Sequence, residues 1–170
     1  MVEAEVRTAM GGELAAVGGL RWDSLVESGG DPDADRDLFA ARFAAWAAAH
    51  DSSHECFVAV AEGRVVGMMW LATVPRVPSA RSFDRASGDL QCAYVVPALR
   101  NAGIGGRLIE AVLERAGELE LERVTVHSSP RAISVYDRHG FAVEDRLLHV
   151  YVAHPHAGAP GHQSTTSTTE

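Results

Sequence analysis

A glycine-dense turn, RNAGIGGRL at residues 100–108, sits between the apolar stretch AYVVP and the helical pattern IEAVLERA. The N–H groups that open a helix have no intrahelical partner, and the helix dipole adds partial positive charge, so such a start attracts phosphate. Gly103, Gly105 and Gly106 let the main chain come close to an anion and take positive φ, and Arg100 and Arg107 add charge. On the glycines alone a tight turn needed only for packing competes evenly, because a bare Gly-x-Gly carries little information.

The rest of the chain narrows the ligand. No lysine occurs, and all 15 basic side chains are arginines. A P-loop needs Lys at its Gly-Lys-Ser/Thr end and Schiff-base chemistry needs a Lys amine, so both are excluded. A dinucleotide fold needs Gly-x-Gly-x-x-Gly near its first strand, and here the third glycine is missing and the turn lies past mid-chain. The net charge of -8 argues against nucleic acid and fits a cationic acceptor. With 170 residues, 46% of them hydrophobic, the chain has the size and composition of one soluble domain. Its apolar runs are too short to cross a membrane and MVEAEVRTAM lacks the build of a signal peptide, so a cytoplasmic protein without membrane contact is expected. Cys56 and Cys92 lie in apolar segments without paired spacing and read as buried thiols.

Periodicity sets the order of elements. VEAEVR, residues 2–7, alternates as a strand. A helix over 10–28 carries Leu14, Val17, Trp22, Leu25 and Val26, weakened or broken by Gly11, Gly12, Gly18 and Gly19. A second helix shows Leu38, Phe39, Arg42, Phe43, Trp46 and Ala47 on one stripe, with acidic residues at its start. Residues 56–74 read as a hairpin turning at Glu62 and Gly63. A loop with Arg76, Arg81 and Arg85 precedes the strand DLQCAYVV, and is read as a solvated excursion, with contact to an anionic ligand or the acceptor as the alternative. After the glycine turn come a helix striped by Ile104, Leu108, Ile109, Val112, Leu113 and Ala116, and then the strand RVTVHS. SPRAISVYDRHGF reads as a short helix capped by Ser129, with Pro130 at its first position and Gly140 after its end. LLHVYVA is expected to close a domain of residues 1–153 as its last strand, leaving 154–170 as a disordered tail. His154, His156 and His162 in that tail lack partners at ligand spacing, and no metal is expected.

Val95, Pro97, Arg100, Gly103 and Gly105 match Val-x-Pro-x-x-Arg-x-x-Gly-x-Gly/Ala. Ala132, Tyr136, Gly140 and Phe141 match a later pattern, Asn-x-x-Ala-x-x-Leu-Tyr-x-x-x-Gly-Phe. With both motifs in this order, residues 2–153 resemble the GCN5-related N-acetyltransferase (GNAT) superfamily. The resemblance implies an α/β (α+β) fold, a mixed, mostly antiparallel central sheet splayed after its fourth strand and flanked by about four helices. It implies acetyl-CoA in the splay as cosubstrate, with the pyrophosphate on Arg100, Asn101, Ala102, Gly103, Ile104, Gly105 and Gly106. The pantetheine arm would run along Tyr94, Val95 and Val96, with Ser129 close by in place of the pattern's Asn.

Acetyl transfer to an amine needs a neutral nucleophile, an oxyanion donor and an acid for the departing thiolate. An alkyl ammonium has a pKa near 10.4, so a base or water relay must take its proton. The resemblance makes Tyr136 the general acid and the Val95 backbone N–H the oxyanion donor. Gln91 stands where many members carry a glutamate base, which leaves Asp89 through water, or His127, as the base. Asp23 and Glu27 are read as solvated carboxylates of the first helix, with orientation of a cationic acceptor as the alternative. The acceptor is a small-molecule amine or a protein amino group, and both monomer and homodimer remain open. A coenzyme A-binding module without turnover is the alternative function, prompted by Gln91.

Overall fold

The computed structural model describes residues 3–152. Five strands form one sheet in the order β1-β2-β3-β4-β5: β1 is Glu5–Thr8, β2 His54–Ala61, β3 Arg64–Pro75, β4 Ala86–Val95 and β5 Val124–Val126. The first four pair antiparallel and β5 pairs parallel to β4. The first strand thus lies later than the alternation in VEAEVR placed it, at residues 5–8. The β2–β3 hairpin turns where expected, because Glu62 and Gly63 both take positive φ, 50° and 73°, as a two-residue turn with the twist of the strands requires.

α1 (Leu14–Glu27) and α2 (Arg36–Ala49) cover one face of the sheet, burying Val17, Leu20 and Ala47 against Val58, Met68 and Trp70. α1 is continuous despite its glycines. A β-carbon at Gly18 would stand 2.9 Å from the Ala40 Cα, and one at Gly19 would meet the Arg36 guanidinium, so both glycines serve close approach to α2. Val17, Gly18, Gly19 and Leu20 form the buried stripe while Leu25 and Val26 face outward. Asp35 caps α2 by accepting from the N–H groups of Asp37 and Leu38. Arg36 then clamps α1 through both oxygens of Asp23 at 2.8 Å.

α3 (Ile104–Glu118) lies on the other face and buries Ile104, Leu108, Ile109, Val112 and Ala116, the stripe read from the sequence. α4 (Ile133–Asp137) packs beside it through Tyr136. Two expectations for this end fail. Ser129 is not the cap of α4, since the helix starts four residues later with Ala132 at the cap position, and residues 129–132 form a turn closed by Ala132 N–H to Ser129 O. Residues 147–152 form no strand: they pair with no strand among the described residues, and Leu148 and Val150 are 88% and 82% exposed. The pattern of LLHVYV favours a strand, but a strand requires a hydrogen-bonding neighbour, and β5 offers only three residues. Ala153 and the tail 154–170 lie outside the described residues. No described helix is long and apolar enough to cross a membrane.

Candidate active site

The site begins with an irregularity in β4. Gln91 pairs with Trp70 and Tyr94 with Met68, so Cys92 and Ala93 together oppose the single residue Met69. This is a β-bulge, and Cys92 takes φ 51° to make it. The pairing of β4 with β5 stops at the same level, its last register being Leu90 to Val126. Beyond that point the two strands part. The gap is a cavity of about 240 Å³ lined by Leu90, Cys92, Ala93, Val126 to Ser129, Ala132 and Tyr136.

Alternation along β4 fixes what faces this gap. The Val96 N–H donates to Val66 O on β3, so the N–H and C=O of Val95 point the other way, toward the opening. Val95 O accepts from Arg100 Nε at 2.9 Å, and the Val95 N–H is left facing the gap.

Tyr136 forms the floor. Its side chain is 6% exposed, its ring meets Phe141 edge-on at 5.3 Å, and its hydroxyl makes no hydrogen bond among the described residues. Burial pushes its pKa above the ordinary phenol value, so the hydroxyl stays protonated. His127 and Ser129 line the same cavity, His127 with its ring 6.3 Å from that of His149.

The carboxylate candidate lies elsewhere. Asp89 and Gln91 share the sheet face of Trp70, which α1 and α2 cover, whereas Tyr136 belongs to the face covered by α3. Gln91 Nε2 donates to Asp89 Oδ2 at 2.7 Å and Thr125 Oγ1 approaches Asp89 Oδ1 at 3.4 Å. Since a carboxylate only accepts, this bond fixes the amide orientation and leaves Gln91 Oε1 as a free acceptor. Tyr136 and Asp89 therefore stand on opposite faces of the sheet, while His127 lines the cavity together with Tyr136.

At the end of β4 the chain passes through a single 3₁₀ turn, Pro97–Leu99, into the glycine turn. Asn101 and Gly103 take φ 65° and 78°, and α3 starts with no side-chain cap. Its first internal bond runs from Arg107 N–H to Gly103 O, and the N–H groups of residues 101–106 donate to no carbonyl among the described residues. A β-carbon at Gly105 would meet nothing within 4 Å, so the surface over this helix start is open. The geometry suits an anion bound by main-chain donors.

Arg100 does not join them. Its Nη1 and Nη2 donate to the two oxygens of Glu27, the last residue of α1, at 2.5 and 2.7 Å. Its guanidinium also lies over the Tyr94 ring, 5.3 Å from the centroid, and the Tyr94 hydroxyl donates to Glu27 Oε2 at 3.0 Å. Arg100 holds the Glu27 carboxyl down at about 2, against the cost of partial desolvation, with help from Tyr94 and the field of Arg131. Sequence pattern places Arg100 at the anion and Glu27 in solvent and holds no sign of their pairing, because the pair spans distant parts of the chain.

Residues 15–141 match the model of the acetyltransferase (GNAT) family. Three solved structures have the same fold. A predicted acetyltransferase from Clostridium acetobutylicum, crystallised with acetyl-CoA, aligns with a TM-score of 0.72 at 19% identity, covering 88% of this chain and 96% of that one. Glucosamine-6-phosphate N-acetyltransferase from Arabidopsis thaliana gives 0.67 at 13% identity, covering 89% and 99%. An aminoglycoside acetyltransferase from an uncultured soil metagenomic sample, in complex with trehalose, gives 0.67 at 17% identity, covering 88% and 95%. No curated protein sequence matches the chain.

Proposed function

The chain belongs to the acetyltransferase (GNAT) family, and from that premise we propose that it transfers an acetyl group from acetyl-CoA to a primary amine by direct attack in a ternary complex. What carries the reading is the gap beyond Leu90, which brings the hydroxyl of the buried residue Tyr136, without a hydrogen bond among the described residues, against a strand edge from which the Val95 N–H faces away from β3. A relative of the same fold was crystallised with acetyl-CoA.

In this reading the pyrophosphate rests on the N–H groups of residues 101–106, and the pantetheine arm extends along the open edge of β4 from Tyr94 to Val96. The amine approaches from the α1 and α2 face. Gln91 Oε1 accepts a hydrogen bond from it, and Asp89 takes its proton through water, with His127 on the gap wall as the other base. Attack on the thioester carbonyl builds negative charge that the Val95 N–H stabilises. The tetrahedral adduct then expels the thiolate, which Tyr136 protonates; burial, by keeping the phenol protonated, suits it to that step. The acceptor is a small-molecule amine or a protein amino group. With this reading go a single catalytic domain over residues 1–153, a cytoplasmic location, a monomer or homodimer, and no role for nucleic acid, membrane or metal.

Calorimetry with acetyl-CoA, followed by thiol release with a panel of amines, tests it. Gly105→Leu has room in the free protein and intrudes only on a ligand at the turn, so coenzyme binding should weaken about tenfold or more with the melting temperature unchanged. Absence of acetyl-CoA binding to the native protein would refute the assignment. Binding without turnover on any amine would favour a coenzyme A-binding module, in which Gln91 holds Asp89 without serving a reaction.

A further inference from the structure

Glu27 and Arg100 join the two faces of the sheet at the end of β4. Glu27 closes α1, on the side where Asp89 and Gln91 stand, and Arg100 opens the glycine turn that leads into α3 on the other side. Three of the five guanidinium N–H donors are committed: two to Glu27 and one to Val95 O, the last residue of β4. The Tyr94 ring lies against the guanidinium and its hydroxyl shares the Glu27 carboxylate, so the cation is fixed on several sides. An arginine adjoining an uncapped helix start would otherwise be free to swing onto a phosphate. Here the carboxylate occupies the fork that a phosphate would use.

On the premise that the turn holds the pyrophosphate, we infer that Glu27 is a positioning residue that withholds Arg100 from the coenzyme and uses it to fix the end of α1 as the acceptor-side lip of the gap. The protein then holds the pyrophosphate by main-chain donors, while the arginine orders the acceptor side. The two ligands are affected in opposite directions. Removing the Glu27 charge frees the guanidinium and takes a negative group away from the turn, which favours an anion. The same change unties α1 from the strand and turn, which disfavours a correctly placed amine.

Glu27→Gln keeps the size of the side chain and removes its charge. Acetyl-CoA binding by calorimetry should tighten about threefold and become more sensitive to salt, while the KM for the amine rises by a similar factor and kcat changes less. Arg100→Gln placed on top of Glu27→Gln should abolish the gain in coenzyme affinity and keep the raised amine KM, a double-mutant cycle on the released arm. Glu27→Asp, which shortens the reach of the carboxylate and keeps its charge, should move the amine KM in the same direction by less. A purely structural role would instead weaken both ligands together, with no gain for acetyl-CoA. Unchanged or weaker acetyl-CoA binding in Glu27→Gln, beside a native protein that binds it, overturns this inference alone. A native protein that does not bind acetyl-CoA overturns the inference and the reading beneath it.

Discussion

The two halves of β4 have the same neighbours in sequence and opposite surroundings in space. From Gly88 to Leu90 the strand is paired on both edges, to β3 and to β5, and Leu90 is buried among Leu71, Ile109 and Tyr136. From Cys92 to Val95 it keeps β3 on one edge, through a bulge, and faces a cavity on the other. The first half is built for cohesion, with the Leu71, Leu121 and Val124 side chains crowding the place of an added methyl at Gly88. Among the described residues the second leaves the Val95 N–H turned away from β3 and the Tyr136 hydroxyl without a partner, conditions that a fold tolerates where a ligand completes them.

Substitutions in each half should therefore fail in different currencies. In the open half, Tyr136→Phe removes a hydroxyl that bonds to nothing described, so stability should stay within about 1 kcal/mol while turnover falls about a hundredfold, a loss near 2.7 kcal/mol of transition-state stabilisation. Denaturant unfolding and steady-state rates on one preparation check both parts. A large loss of stability with turnover intact would reverse the contrast. In the closed half, Gly88→Val should destabilise by about 2 kcal/mol, because its β-carbon would stand 2.8 Å from Leu71 Cδ1 and 3.1 Å from Leu121 Cδ1. The midpoint of urea unfolding measures this, and a variant as stable as the native protein would show that the closed half is looser than its packing.

The smallest effect is one of pH. Glu27 titrates at about 2 in the folded chain against an ordinary 4.5. A lowered folded pKa adds stability that is fully present above the ordinary value and is lost as pH falls through the folded one. The melting temperatures of the native protein and Glu27→Gln should differ most above pH 4.5 and converge as pH falls toward 2. A constant difference across that range would mean that the carboxylate charge contributes nothing to the pair.

Much of the closed part was readable in the sequence because it depends on local pattern. The stripe from Ile104 to Ala116, the turn at Glu62 and Gly63, and the left-handed Gly140 all follow from spacing and backbone freedom. The GNAT family, too, was legible in two short motifs. What escaped depends on long-range geometry. Gly18 and Gly19 look like helix breakers until α2 is laid against them, and then they are its contact surface. The pairing of Arg100 with Glu27 joins residues 73 positions apart and leaves no local trace. Ser129 and Pro130 have the chemistry of a helix start, yet the chain uses them in a preceding turn. The strand expected at 147–153 had a suitable pattern but finds no partner edge among the described residues, and no pattern within a segment specifies its partner.

The bulge also makes the chain its own chemical reporter. Cys56 lies beneath the helices, 5% exposed, with its thiol pushed up by burial and thus held as the unreactive neutral form. Cys92, displaced by the bulge, lines the gap and is only half-buried. A thiol reagent should therefore label one cysteine rather than two, at a rate governed by access to the gap. Acetyl-CoA, whose own sulfur is capped, should slow that labelling on binding there. Cleft occupancy then becomes a mass shift in the intact protein, measurable before any acceptor is known.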